Sequence, residues 1–199
     1  SKFSISNGYL VFKATPDFEN PSDSNTDNSY SLTITAAGAG ISSTQSVTLN
    51  VTNVNEAPVI TSDDSNAFIV AENTTALATI TASDPESDSI TYSLQDSSGS
   101  QDETLLNIDS STGEVTFKNA PNFESPTDID ANNSLTFTVS VSDGVNSSSK
   151  QLFANITDIS EAPTNIAISN NSANENLQGA AFGELNITDD DLDIKLIKI

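Results

Sequence analysis

Residues 135–141 read LTFTVSV, and the reading of this stretch decides the fold. Leu135, Phe137, Val139 and Val141 alternate with Thr136, Thr138 and Ser140. Successive side chains of a strand point to opposite faces, so a period of two makes one apolar and one polar face. The alternation also occurs earlier, as Tyr30, Leu32, Ile34 and Ala36. Leu152 and Ile156, with counterparts Val47 and Val51, mark another strand, and Ile80, Ile90, Tyr92 and Leu94 fall on two more. Turn signals at residues 111–113 (STG) and at Asp143-Gly144 separate them. No segment of useful length shows the 3.6-residue period of a helix. Short strands at this density predict an all-β chain of Greek-key β-sandwiches, with about seven strands in each unit of about a hundred residues.

The two alternating stretches belong to a longer repeat. Residues 16–58 can be laid on residues 121–163 without a gap, at a constant offset of 105. PDFENPSDSNTDNSYSLTIT then falls on PNFESPTDIDANNSLTFTVS, and VTNVNEAP on ITDISEAP. A third copy starts after Pro163, where IAISNNSANEN is like ITSDDSNAFIVAEN and ITDDDLDI is like ASDPESDSI. It has two residues more between Glu175 and Asp189 than lie between Glu72 and Asp84. Self-similarity at a fixed spacing is the mark of tandem modules. The expected division is the C-terminal part of one repeat (1–58), a complete repeat (59–163) and the N-terminal part of another (164–199). Ile199 aligns near Leu94 and Ser1 near Thr104, so the chain reads as an excerpt whose end parts are complementary in register. Half sandwiches leave open strand edges, and pairing of the two parts between chains is an expectation of this reading.

Charge and composition narrow the chemistry. Six Lys and Arg stand against 28 Asp and Glu, for a net charge of −22. Such an excess repels nucleic acid and anionic membranes. Acidity with few aromatics also marks disordered chains, but these lack a periodic apolar pattern. Cys, Met, Trp and His are absent, which excludes a disulfide scaffold and thiolate metal sites. Without His the usual general base and the usual zinc ligand are missing too. Carboxylates, Asn side chains and backbone carbonyls remain, the ligand set of a hard cation such as Ca²⁺. No stretch is apolar and long enough to span a membrane, and residue 1 begins no signal peptide.

The acids recur at the same points of each repeat, near strand ends. Asp17 and Glu19 are matched by Asn122 and Glu124, and Asp84, Glu86 and Asp88 by Asp189, Asp191 and Asp193. The linker NVNEAP (53–58) is matched by DISEAP (158–163). Glu72 and Glu175 form a further pair, and Asp143 stands alone before Gly144.

In these residues the chain resembles the cadherin-like tandem repeats, in particular those of large bacterial surface adhesins of the RTX type. That family shows a Glu near the first strand, a D-x-E pair, an A-x-D-x-G turn, a D-x-D pair and an interdomain D-x-N-D-N-x-P. Glu72, Asp17 with Glu19, Asp143 with Gly144, Asp84 with Glu86, and the two linkers match in the family's order, over essentially the whole chain. The resemblance implies calcium ions at each junction between repeats. At the first junction the implied ligands are Asp17, Glu19, Asn55, Glu56, Asp84, Glu86 and Asp143, with Asn53 and the Val54 carbonyl at the margin. At the second they are Glu72, Asn122, Glu124, Asp158, Glu161, Asp189 and Asp191. Each linker is one residue shorter than the animal pattern, and Asn53, Asn122 and Ser160 replace family residues, as Gly38 does for Asp143 in the first repeat. These departures imply one or two ions at a junction in place of three.

A second acidic loop, DIDANN at 128–133 and DSNTDN at 23–28, places oxygens at alternate positions as an EF-hand loop begins. Val139 and Ile34 stand where the bidentate Glu of that motif belongs, so the loop reads either as an intradomain calcium site or as a polar hairpin end. Asn-x-Ser/Thr triplets at Asn50, Asn73, Asn146 and Asn155 are as frequent as this Asn-, Ser- and Thr-rich composition produces by chance.

The function expected is a calcium-rigidified spacer or adhesive segment of an extracellular surface protein in a calcium-rich medium such as seawater. Its partners are neighbouring repeats of the same chain, with a cell-surface glycan or protein reached through other parts of the parent. The alternative is a carbohydrate- or protein-binding module appended to a secreted enzyme. Sugar platforms need exposed aromatics, whereas the chain has three Tyr, nine Phe and no Trp, and Tyr30, Tyr92 and Phe137 fall on alternating strand positions. No catalytic residue is assigned, because the paired carboxylates recur at module joints and do not converge once in a pocket.

Overall fold

The computed structural model describes residues 2–63, 66–95, 102–175, 178–179 and 183–191, and residues 192–199, with Asp193 and Ile199, lie outside that set. Four strands precede the first linker: β1 (Phe3–Ser6), β2 (Tyr9–Phe12), β3 (Ser29–Gly38) and β4 (Ile41–Asn50). Between the linkers run β5 (Val59–Ile60), β6 (Phe68–Ala71), β7 (Ala76–Thr79), β8 (Ala82–Ser83), β9 (Thr91–Gln95), β10 (Leu106–Ile108), β11 (Glu114–Phe117), β12 (Ser134–Ser142) and β13 (Ser147–Thr157). After the second linker come β14 (Asn165–Ile168) and β15 (Leu185–Thr188). Among the described residues the helical content is one 3₁₀ turn, Asp102–Leu105.

The stretch that decided the fold becomes β12. Leu135, Phe137, Val139 and Val141 are completely buried, as the alternation requires. β12 lies inside a four-stranded sheet of order β6-β13-β12-β9, and β10-β11-β7 form the opposing sheet. The first strand of the sandwich serves both sides, because β5 pairs with β8 whereas β6 runs parallel to β13. Counting β5 with β6 and β7 with β8 as interrupted single strands leaves seven, in a Greek-key sandwich. Its core joins Ile60, Val70 and Ile80 to Leu106, Val115, Phe117, the inward face of β12, and Leu152, Ala154 and Ile156 of β13.

The preceding part repeats half of this plan. β1–β2 and β3–β4 are antiparallel hairpins that correspond to β10–β11 and β12–β13. The Tyr30 ring meets Phe3 and Phe12 edge-on at 5.6 and 5.4 Å, forming a small core of its own. β14 and β15 pair with each other after the second linker.

Two local devices explain how the sandwich is held. The β9 edge of β12 ends at Thr138, and beyond it the buried Asp102 and Glu103 take over. Asp102 accepts the backbone N–H groups of Ile129 (3.2 Å) and Thr136 (2.9 Å), and Glu103 accepts that of Thr138 (3.2 Å). The second device is the turn at Gly113, which has φ +72°, a conformation that L residues adopt at a cost. Any Cβ there would collide with the Ile80 carbonyl oxygen, while the Gly113 oxygen accepts the Ile80 N–H at 2.9 Å. Gly113→Ala is expected to lower the melting temperature clearly, whereas Gly38→Ala, which meets nothing within 4 Å and needs no positive φ, should be far milder. A thermal melt of the two variants side by side checks this.

Candidate metal centres

The acidic residues gather where one repeat gives way to the next. At the first junction Glu19 comes from the β2–β3 connection, Glu56 from the linker and Glu86 from the β8–β9 turn. Each presents an oxygen within 4.8 Å of the others. Asp84 builds the turn that delivers Glu86, its Oδ1 accepting the N–H groups of Glu86 and Asp88 at 3.0 Å each. Glu86 Oε2 in turn accepts the Glu56 N–H at 3.4 Å. A carboxyl–carboxylate hydrogen bond with Glu86, then burial and the charges of Glu86, Glu19 and Asp17, pushes the Glu56 carboxyl up to about 7. The same bond holds Glu86 below the usual range, and burial raises Glu19. Packing three acids this closely without a counter-charge favours the protonated form of one of them.

Asp17 and Asp143 act beside this group. Asp17 Oδ1 accepts the Asn20 N–H at 2.8 Å. Asp143 Oδ1 accepts the N–H groups of Val145 and Asn146 at 2.6 Å each, and its Oδ2 accepts from Asn55 Nδ2 at 2.7 Å. Those backbone bonds, the Val145 one foremost, hold Asp143 ionised below the usual carboxylate range. Asn146 Nδ2 completes the brace by donating to the Asn55 carbonyl at 2.7 Å. The Asp143-Gly144 turn therefore fixes the linker with the same oxygens that were expected to hold an ion.

The second junction is richer. Glu72, Glu124 and Glu161 form one group, and Glu124, Asp158 and Asp191 another, each within 4.8 Å and sharing Glu124. Glu72 is completely buried at the end of β6 and accepts the N–H groups of Phe123 (2.7 Å) and Ile159 (2.9 Å), tying both flanking loops to itself. Asp189 supports Asp191 through its N–H (3.2 Å) as Asp84 supports Glu86, and Asn122 caps Ser125 (2.6 Å) as Asp17 caps Asn20. Glu161 N–H donates to Asp191 at 2.6 Å, the counterpart of the Glu56–Glu86 contact, and Asn73 Nδ2 donates to the Glu161 carboxylate. Burial first, and then mutual repulsion, raises Glu124, Asp158 and Glu161 above the ordinary carboxylate range.

Four carboxylate oxygens at the junctions are buried without a hydrogen-bond partner: Asp84 Oδ2, Glu86 Oε1, Glu161 Oε2 and Asp191 Oδ1. A buried acceptor left unpaired is costly unless a cation meets it. Glu86 and Asp191 occupy equivalent places of successive repeats. Oxygen-only donors of this density suit a hard cation, and the fit is better at the second junction than at the first.

Comparison with solved structures follows from this geometry. PcdhgB3 EC1-4 matches with 26% identity and a TM-score of 0.52, over 91% of this chain and 44% of that one. The fold is cadherin-like. Protocadherin gamma B2 extracellular cadherin domains 3–6 match with 27% identity and a TM-score of 0.50, over 83% of this chain and 41% of theirs. For protocadherin gamma B7 extracellular cadherin domains 1–4 the values are 19%, 0.54, 91% and 44%. The chain thus spans less than half of each of these cadherin fragments. No family model matches the sequence, and neither does any curated protein.

Within this cadherin-like frame, Asn73 and Asn146 bond to the junction residues Glu161 and Asn55, although in the sequence they stand out only as Asn-x-Ser/Thr triplets. The loops at 23–28 and 128–133 are bonded alike in part. Asp128 accepts the N–H groups of Asn132 (2.8 Å) and Asn133 (3.3 Å), and Asp23 accepts that of Asp27 (2.9 Å). Asn133 and Asn28 reach back to the carbonyls of Phe123 (2.9 Å) and Phe18 (2.8 Å). This bonding is that of a polar hairpin end, yet Asp23 Oδ1, Asn28 Oδ1 and Asn133 Oδ1 are buried without a partner there, as the junction oxygens are.

Proposed function

We propose that the two acidic junctions bind calcium, and that the ions stiffen successive repeats into an extracellular spacer with an adhesive, non-enzymatic role. The carrying observation is that Glu86 and Asp191, equivalent in successive repeats, each bury a carboxylate oxygen that has no hydrogen-bond partner. Bound calcium would supply the positive charge that these groups lack. Glu19, Glu56 and Glu86 would then hold one ion at the first junction. Glu72, Glu124, Glu161, Asp158 and Asp191 would hold two at the second, through the shared Glu124. Asp84, Asp189, Asp17 and Asn122 orient these ligands, and Asp143 with Asn55 and Asn146 sets the linker.

Several features support the wider reading. The acids recur at both joints, as structural ion sites do, and do not converge once in a cleft as catalytic pairs do. Phe117, Phe137 and Tyr30 are buried in the sandwiches, and Tyr9 and Phe153, the two exposed aromatic rings among the described residues, lie on different repeats. The similar solved structures are extracellular tandem fragments by name. The short N-E-A-P and S-E-A-P linkers favour a large bacterial surface adhesin as the parent. No helix among the described residues is long and apolar enough to cross a membrane.

Thermal unfolding in calcium, in magnesium and in EDTA tests the proposal. Calcium at a hundred times its dissociation constant should add about 2.7 kcal/mol per site and raise the melting temperature well above the EDTA value. Magnesium, smaller and strictly octahedral, should do much less. Identical melts in all three would overturn the calcium reading.

A further inference from the structure

Two loops outside the junctions, residues 23–28 before β3 and residues 128–133 before β12, hold oxygens that the fold buries and leaves without a donor. Asn28 closes the first loop and is only 9% exposed. Its amide nitrogen is committed to the Phe18 carbonyl at 2.8 Å, which leaves its Oδ1 buried and without a partner. Asp23 opens the same loop, and its Oδ1 is a buried orphan as well. The arrangement recurs inside the complete sandwich. Asn133 Nδ2 donates to the Phe123 carbonyl at 2.9 Å, and Asn133 Oδ1 is again buried without a donor. The Asn133 N–H meets Asp128 Oδ1 at 3.3 Å, so this residue stands against a carboxylate that is itself only 6% exposed. A buried acceptor beside a buried carboxylate is costly until a positive charge meets both.

The rest of each loop offers oxygens too. Its first, third and fifth residues are Asp23, Asn25 and Asp27 in one copy, and Asp128, Asp130 and Asn132 in the other. The Asn changes place, yet both loops keep two carboxylates and one amide oxygen. An amide nitrogen bridges the third and fifth positions in each, from Asn25 to Asp27 and from Asn132 to Asp130, at 2.7 Å. The sixth residue has a left-handed backbone, with φ +62° at Asn28 and +63° at Asn133, where an EF-hand loop turns on Gly. Asp27, Asp130 and Asn132 are exposed and leave one side of the loop open to water.

We propose that each of these loops is a second kind of cation site, binding one calcium ion within a repeat and sharing no ligand with the junctions. In the middle repeat the ion would rest on Asp128, Asp130, Asn132 and Asn133 Oδ1, with water completing its shell. A carboxylate oxygen that accepts one N–H keeps a lone pair for the ion. Without the bidentate Glu of an EF-hand, the affinity should be that of extracellular modules, about 10⁻⁴–10⁻³ M. Asn133 also holds the Phe123 carbonyl, and the Phe123 N–H goes to Glu72. The ion therefore pins, from its far end, the connection that carries Glu124.

Calcium bound per chain, measured by equilibrium dialysis on the full chain, tests this. Asp27→Asn and Asp130→Asn each remove one charge at an exposed position and keep an acceptor oxygen, so the melting temperature in EDTA should not change. The double variant should lose one bound ion for each loop altered. Glu86→Gln with Glu124→Gln, which disables the junctions, should keep those ions. In that background terbium should show emission sensitised by Tyr30, which lines one cavity with Asp23 and Asn25, and Asp27→Asn should abolish it. Calcium uptake unchanged by the loop substitutions would overturn the proposal. So would a junction variant that binds no calcium, the loop oxygens then meeting water alone, or terbium emission that survives Asp27→Asn. Ions that persist in the junction variant and vanish with the loop substitutions uphold it, whether or not the junctions themselves take up calcium.

Discussion

Phe137→Ala should remove about 3–5 kcal/mol from the stability of the middle repeat, the usual cost of truncating a fully buried Phe. Phe137 is completely buried on β12, between Leu135 and Val139 and opposite Leu152. Domains of this size hold only about 5–15 kcal/mol in total, so the loss would be a large fraction of what keeps the sandwich folded. The equivalent substitution one repeat earlier, Leu32→Ala, removes a half-exposed side chain and should cost far less. Urea unfolding of the two variants gives the comparison, because the sequence pattern around both residues is the same and only their covering differs. Losing the middle repeat also dismantles both junctions, since Glu72, Glu86 and Glu124 all belong to it. Calcium binds the folded repeat, so it should offset part of this loss, and Phe137→Ala should melt higher in calcium than in EDTA. Equal costs at Phe137 and Leu32 would mean that the first half sandwich is covered in solution as fully as the middle one.

How much of this was legible beforehand depended on the range of the physics involved. The period of two in residues 135–141 is a local property, and it placed β12 and its buried face correctly. The repeat made one strand assignment serve twice, which is why β3 followed from β12. Ile80 and Ile90 were expected on strands, yet Ile80 sits in the break between β7 and β8 and Ile90 just before β9. Their burial reflects the tertiary core and not strand periodicity. The split of the first strand between two sheets has no local signature, because β5 and β6 differ only in the strand they meet. Asp102 and Glu103 lie outside every alternating stretch, and the structure buries both against β12. Their partners lie about thirty residues away, at Ile129, Thr136 and Thr138, a distance that one sequence does not reveal. At the junctions the recurrence of the acids and the family resemblance marked them, and the structure brings Glu19, Glu56 and Glu86, and Glu72, Glu124, Asp158, Glu161 and Asp191, into groups. The division of labour was hidden. Asp17, Asn122, Asp84 and Asp189 bond to backbone N–H groups, and Asp143 gives its oxygens to the linker brace, because those choices depend on local turns.

Glu72 should be the most sensitive single position of the second junction, and two substitutions separate its two duties. Its carboxylate is completely buried and accepts N–H groups from Phe123 and Ile159, which belong to the loops on either side of the ion groups. Glu72→Ala leaves both donors without a partner, at a cost of about 1–3 kcal/mol for each. It also deletes one acid of the group shared with Glu124 and Glu161. In EDTA the lost hydrogen bonds are partly offset, because one member of a mutually repelling set is gone. In calcium no such relief exists, so the deficit relative to the unaltered chain should be much larger. Glu72→Gln keeps an amide oxygen able to accept one of the two N–H groups and removes the charge. It should melt near the unaltered chain in EDTA while losing part of the calcium-induced rise. Glu86→Gln, made at the other junction, should lose only the increment that belongs to Glu19, Glu56 and Glu86. Calcium titrations monitored by melting temperature, run on the single variants and on the pair, should then show losses that add, as expected of sites with no shared ligand. If Glu72→Gln keeps the full calcium response while Glu72→Ala unfolds the repeat, Glu72 is a buried tie between loops and the ions rest on Glu124, Asp158 and Asp191 alone.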